Sequence, residues 1–109
     1  MASFFRNAVV NNVGMTPVTV LTTAANARHT VIGMSLANLT NGIILVDIQL
    51  TNDSEVTGYY AKQIIIPPNA SLRVINGGEK LILAPSNTLT ITANIDNALD
   101  VIASYVELI

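Results

Sequence analysis

Apolar residues recur at every second position through most of this chain, and that spacing dictates strands. In "IILVDIQLT" (residues 43–51), Ile44, Val46, Ile48 and Leu50 fall on one side of an extended chain, with Asp47, Gln49 and Thr51 on the other. "TLTITA" (88–93) repeats the pattern, setting Leu89, Ile91 and Ala93 against Thr88, Thr90 and Thr92. Further runs rich in β-branched residues occupy 3–10, 17–23, 29–40, 58–66, 70–75, 79–84 and 98–109. No segment carries a convincing amphipathic-helix repeat. Eight or nine short strands, separated by turn signals at intervals of about 8–12 residues, predict an all-β sandwich or barrel.

The breaks between the runs specify how the strands connect. Asn41-Gly42 is the pair that most readily takes the positive φ angles of a type I′ turn, so 29–40 and 43–51 are expected to form a hairpin. Pro67-Pro68 must end the strand "GYYAKQIII", since neither proline donates a backbone hydrogen bond. Asn76-Gly77-Gly78 and Pro85-Ser86-Asn87 are read as reversals, with "EKLILA" running back between them. "ALDVIASYVELI" fits helix or strand, since Ile102, Val106 and Leu108 interrupt its alternation, and we favour a strand buried on both faces. We favour a single antiparallel β-sandwich of jelly-roll type. An immunoglobulin-like sandwich is the alternative, although no Cys-Trp-Cys framework supports it.

A chain of 109 residues fits one domain spanning 1–109, with 1–12 as a first strand or an N-terminal arm. Charged residues make up 11% and hydrophobic ones 50%, against an ordinary charged share of roughly 25%, so a lone monomer would struggle to cover its apolar surface. That balance favours an assembled protein. A net charge of −2, with Arg6, Arg28, Lys62, Arg73 and Lys80 scattered, leaves no footprint for nucleic acid. Without cysteine there is no disulfide framework and no thiolate metal site. No stretch approaches the length of a membrane span or a signal-peptide core, so synthesis in a cytoplasm is expected.

Chemistry-bearing residues are sparse. His29 is the only histidine, and it is expected to cap a turn or lie on the surface, because a general base needs a nucleophile and an orienting group in reach. Asn52, Asp53 and Glu55 in "NDSE" offer oxygen ligands, but without calcium-loop spacing they read as a hairpin tip. Asp96 and Asp100 read as turn formers. Asn-x-Ser/Thr patterns occur at Asn38, Asn52 and Asn69, where such a composition gives about two by chance, and they carry no inference without a secretory signal. No catalytic residue, metal ligand or cofactor is assigned, and the chain is expected not to be an enzyme. The interface candidates are Phe4 and Phe5, in a segment able to dock on a neighbour, and the adjacent Tyr59 and Tyr60, which must point to opposite faces of a strand.

The run "GMTPVTVLTTAANARHTVIGMSLANLTNGIILVDIQL", then "IIIPPNASLRVINGGEKLILAPSNTLTITAN" and a final apolar strand ending in "VELI", resembles small virion structural proteins of tailed bacteriophages. Nearly the whole chain takes part, through strand and turn residues rather than chemical motifs. A Gly-Asp turn common in those proteins is replaced here by Pro85-Ser86-Asn87. The resemblance implies a non-enzymatic capsid decoration or cement protein in the virion. It also implies a β-sandwich that forms homo-oligomers, trimers above all, and binds the major capsid protein or other virion subunits. A neck, tail or fibre position and a small carbohydrate-binding module are the alternatives.

Overall fold

The computed structural model describes residues 2–76 and 78–109. Nine strands follow one another: β1 (Ser3–Val13), β2 (Val18–Thr22), β3 (Arg28–Asn38), β4 (Ile44–Thr51), β5 (Thr57–Ile66), β6 (Ser71–Ile75), β7 (Leu81–Leu83), β8 (Thr88–Ala93) and β9 (Leu99–Leu108). They build two antiparallel sheets. The first has the order β1-β9-β3-β6, with β7 also paired to β3, and the second has the order β2-β8-β4-β5. This interleaved order, in which the chain keeps crossing between the sheets, is that of a jelly roll.

Alternation decides which side chains meet between the sheets. Ile44, Val46 and Ile48 of β4, Leu89 and Ile91 of β8, and Leu99 and Val101 of β9 are all fully buried in one core. Leu36 of β3 and Ile66 of β5 join them from their own sheets.

Three connections differ from the sequence expectation. First, β3 and β4 lie in different sheets and form no hairpin. Neither Asn41 nor Gly42 takes a positive φ, so no type I′ turn exists there. Asn38 holds the crossing instead. Its buried amide Nδ2 donates to the carbonyls of Gly42 (2.9 Å), Ile66 (3.1 Å) and Pro67 (2.9 Å). Its Oδ1 accepts from Thr40 N (2.8 Å) and Thr40 Oγ1 (2.9 Å). One side chain thus ties the outgoing loop to the end of β5.

Second, "EKLILA" does not run back along β6. β6 pairs with Met34–Ala37 and β7 with His29–Val31, both antiparallel to β3, so the two follow each other along one edge. Of the expected Asn76-Gly77-Gly78 reversal, Gly77 lies outside the described residues. Pro85-Ser86-Asn87 does turn the chain, with Asn87 N bonded to Ala84 O (3.2 Å) and Ser86 at φ 64°, but it carries β7 across to β8 in the other sheet. Pro67-Pro68 likewise ends β5 at Ile66 and leads into β6 across the sandwich.

Third, β9 is buried on one face only. Val101 and Ala103 are sealed in the core, while Ile102 between them is 50% exposed. In a two-layer sandwich each sheet has one covered face, so an unbroken apolar run must place alternate members outside.

Gly14 marks the tightest approach. A Cβ there would come 2.5 Å from Asp96 Oδ1 and 2.9 Å from Asp96 Cα. Around it, Ala93 N bonds to Gly14 O (2.9 Å) and Met15 N to Asp96 Oδ1 (3.0 Å), locking the β1–β2 corner onto the loop after β8.

Candidate interaction surface

The two sheets turn chemically different faces outward. On the first sheet, strand register aligns Phe5 with Val106, Thr30 and Ile82 in one row. A second row aligns Val9 with Ile102, Ser35 and Arg73. Phe5 is 85% exposed, Val9 65% and Ile82 64%. With Ile102 these make four large apolar side chains on one outer face, where Arg73 is the one charge in the two rows. Between them lies a shallow open depression of about 280 Å³ lined by Ile32, Ser35, Ile102, Ser104 and Arg73. It holds hydroxyls and a guanidinium but no acid or base beside a nucleophile.

The second sheet is richer in hydroxyls outside, although Leu45 faces an exposed Ile65 (63%) on it and Tyr59 is exposed as well. Thr22, Thr88, Thr51 and Thr57 stand in register across all four strands, with the Thr51 and Thr57 hydroxyls 2.8 Å apart. Thr90 and Gln49 form part of the next row.

The four interface candidates are not brought together. Phe4 and Phe5 sit on β1 at one edge of the first sheet, and Tyr59 and Tyr60 on β5 at an edge of the second. β1 contacts β2, which occupies the opposite edge of the second sheet from β5. Phe4 shares the inward side of β1 with Ala8 and Val10 but is still 41% exposed near the end of the sandwich, with Arg6 Cζ 4.9 Å from its ring centroid, while Phe5 points out. Tyr59 is exposed, with Lys62 Nζ 4.2 Å from its ring centroid. Tyr60 turns inward and packs against the core, and its phenol pKa is raised, first by burial and then by the charge of Glu79.

His29 is neither on the surface nor a turn cap. It is 3% exposed at the start of β3, with its ring 4.6 Å from that of Tyr105. Its Nε2 lies 3.0 Å from Glu107 Oε2, while Arg6 Nε donates to Glu107 Oε1 at 2.8 Å. Nδ1 has no partner among the described residues. The cluster spans β1, β9 and β3 as a clip across the first sheet. The hydrogen bond from His29, followed by that from Arg6, holds the Glu107 carboxyl below the usual carboxylate range.

The remaining polar candidates serve the backbone. Asn52 Oδ1 accepts from Ser54 N and Val56 N, and Glu55 takes φ 61°, so "NDSE" forms the tip of the β4–β5 hairpin. Asp96 accepts from Met15 N and Asp100 from Asn12 N. Among the described residues no three His, Cys, Asp or Glu side chains gather as a metal site would require.

Val9, Ile82 and Ile102 were not singled out from the sequence, yet it carries their signal. Each is the middle member of an apolar triplet: Ala8-Val9-Val10, Leu81-Ile82-Leu83 and Val101-Ile102-Ala103. In a half-buried strand the middle of such a triplet faces water.

No protein-family model and no curated protein matches the sequence. Among solved structures the fold is similar to a protein of Bacillus endospore appendages, a family of disulfide-linked pili (TM-score 0.57, 9% identity), with 96% of this chain and 86% of that one covered. It is also similar to a chain of the viral particle of infectious bursal disease virus (TM-score 0.56, 9% identity). That match covers 96% of this chain and 30% of the viral one. At such identities the likeness concerns the fold alone.

Proposed function

We propose that this chain is a non-enzymatic structural subunit of a large assembly, in the form of a bacteriophage capsid decoration or cement protein that clamps neighbouring major-capsid subunits. The observation that carries this is the outer face of the first sheet, where Phe5, Val9, Ile82 and Ile102 stand in solvent. Burying such a face against another subunit stabilises the assembled state, at about 25 cal/mol per Å² of apolar surface removed from water. The low charge content agrees, because charged residues are depleted in the cores of interfaces. Phe5 and Tyr59, both exposed, are the aromatic anchors of this proposal, with the partly exposed Phe4 beside Phe5 and Tyr60 packed behind Tyr59. The protein would act as one domain over 1–109, made in the host cytoplasm and carried in the virion as a homo-oligomer, with trimers expected at local symmetry axes.

Copy number in intact particles tests this, measured by quantitative mass spectrometry against the major capsid subunit. A ratio near one to one supports the cement role. A few copies per hundred moves the protein to neck, tail or fibre, and absence from particles overturns the virion proposal and reopens the carbohydrate-binding alternative.

A second proposal, a filament subunit, draws on the near-complete mutual coverage with the endospore appendage protein. A chain without cysteine would have to build such a filament without disulfides. Electron microscopy of the concentrated pure chain tests it: ordered fibres support the filament and discrete particles refute it.

A further inference from the structure

We infer that β1 is a pairing edge for a second copy of this chain, the two β1 strands running antiparallel about a twofold axis at Asn7. The inference deepens the structural-subunit proposal by naming the partner and the register.

It begins with the direction of the backbone groups. Ala2 and Ile109 exchange two hydrogen bonds of 2.9 Å each, and the β1–β9 register runs unbroken from Ser3 to Val10. In an antiparallel ladder, residues bonded to the partner strand alternate with residues that are not. Phe4, Arg6, Ala8 and Val10 therefore direct their N–H and C=O groups to β9, while Ser3, Phe5, Asn7 and Val9 direct theirs to the open edge. The other edges are interrupted. β2 has five residues and a register shift, β5 has shifts opposite both sides of Ile48 of β4 and a positive φ at Gln63, and β6 ends at Ile75 while β7 begins only at Leu81. β1 is long, regular and without proline over the same span, the kind of edge that pairs unless it is blocked.

Side chains then select the partner and the register. The free groups sit on odd-numbered residues, so two β1 strands can bond only where odd faces odd. With Asn7 opposite Asn7 of the second copy, each Phe5 faces a Val9 on the outer face and each Phe4 faces a Val10 on the inner face. Aromatic against β-branched is a favourable cross-strand pair. Arg6 then faces Ala8, and its guanidinium is drawn away from the edge by Glu107. A shift by one step towards the N-terminus sets Arg6 directly against Arg6 at the closest cross-strand spacing, which like charges disfavour. A shift the other way puts Phe5 against Asn11 and runs into the irregularity between Val10 and Val13. The favoured register joins four path strands from each copy into one sheet of eight (4 + 4) and merges the two apolar outer faces. The contact is twofold and links copies whether or not a threefold contact forms elsewhere.

Cysteine cross-linking of the full chain tests both partner and register, since the sequence has no cysteine to interfere. In Asn7→Cys the two thiols fall in a hydrogen-bonded pair with Cα atoms about 5.5 Å apart, within disulfide range. In Val9→Cys they are displaced along the strands by four residues, about 13 Å, out of range. Under mild oxidation N7C should double its mass on a non-reducing gel while V9C stays single. Asn7→Pro removes only an outward N–H, so it should abolish the β1-mediated association in sedimentation while retaining a β-sheet circular dichroism spectrum. A monomeric N7C, equal cross-linking of V9C, or an N7P that associates like the parent chain overturns the inference. High copy number in particles together with a monomeric N7C would refute the edge pairing and leave the structural-subunit proposal standing. Cross-linking of N7C by a chain absent from particles would do the reverse.

Discussion

Replacing Asn38 by alanine should cost this protein more stability than removing any surface group. The side chain is 4% exposed and makes five contacts, three from Nδ2 to carbonyls and two accepted by Oδ1. Two amide hydrogens serve three carbonyls, so the five contacts amount to about four hydrogen bonds, each contributing about 1 kcal/mol net. Water can rejoin the groups near the surface at Gly42 and Thr40, but the Ile66 carbonyl is buried, leaving a loss of about 3 kcal/mol. With an unfolding entropy of about 2.1 cal/mol/K per residue, 109 residues give about 230 cal/mol/K, and the melting temperature should fall by roughly 13 °C. Thermal melts followed by circular dichroism measure this directly. Asn38→Asp is the companion, because it keeps the volume but presents oxygen where three carbonyls require donors, and it should be at least as damaging as the alanine. A fall of less than about 4 °C for N38A, equivalent to about 1 kcal/mol, or an aspartate milder than the alanine, would refute the role assigned to this amide.

The clip and the corner make two further predictions. Since the folded Glu107 carboxyl lies below its ordinary pKa, its contribution is present above the unfolded value and lost as pH falls through the folded one. The stability difference between the parent chain and Glu107→Gln should therefore hold steady near neutrality and shrink in acid below the ordinary carboxylate range. Melting temperatures across that range check it, and a difference independent of pH would contradict it. Gly14→Ala forces a methyl against the backbone of Asp96, so the corner must shift at a cost of about 1–3 kcal/mol in a urea titration. Parental stability would show that the corner is looser than the geometry requires.

The sheet faces were legible in the sequence because alternation is local. Ile44, Val46 and Ile48, or Leu89 and Ile91, need only their own neighbours to declare which side is buried. Which sheet a strand joins is not local. "NLTNG" between β3 and β4 has the composition of a hairpin, yet it crosses the sandwich because Asn38 finds its partners at Ile66 and Pro67, far along the chain. The same gap hid the relation of β6 to β7, which depends on β3 lying beside both. His29 was misplaced for a similar reason. Its partner Glu107 is 78 residues away, and nothing around His29 in the sequence announces burial. Adjacent aromatics announce that one ring of each pair faces away from the core but not which one, and Ile102 is exposed because an unbroken apolar run in a two-layer sandwich has only one covered face.

The place of β9 governs the order of events during synthesis. It lies between β1 and β3, pairs with both, and is made after both. Until it emerges from the ribosome the first sheet has no centre, Glu107 is not there to bridge Arg6 and His29, and β1 has two open edges rather than one. When β9 takes the even-numbered residues of β1, it leaves the odd-numbered ones facing outward and so creates the side from which a neighbour can be met. The first sheet that would carry the proposed assembly is therefore complete only once β9, the last strand, has been made.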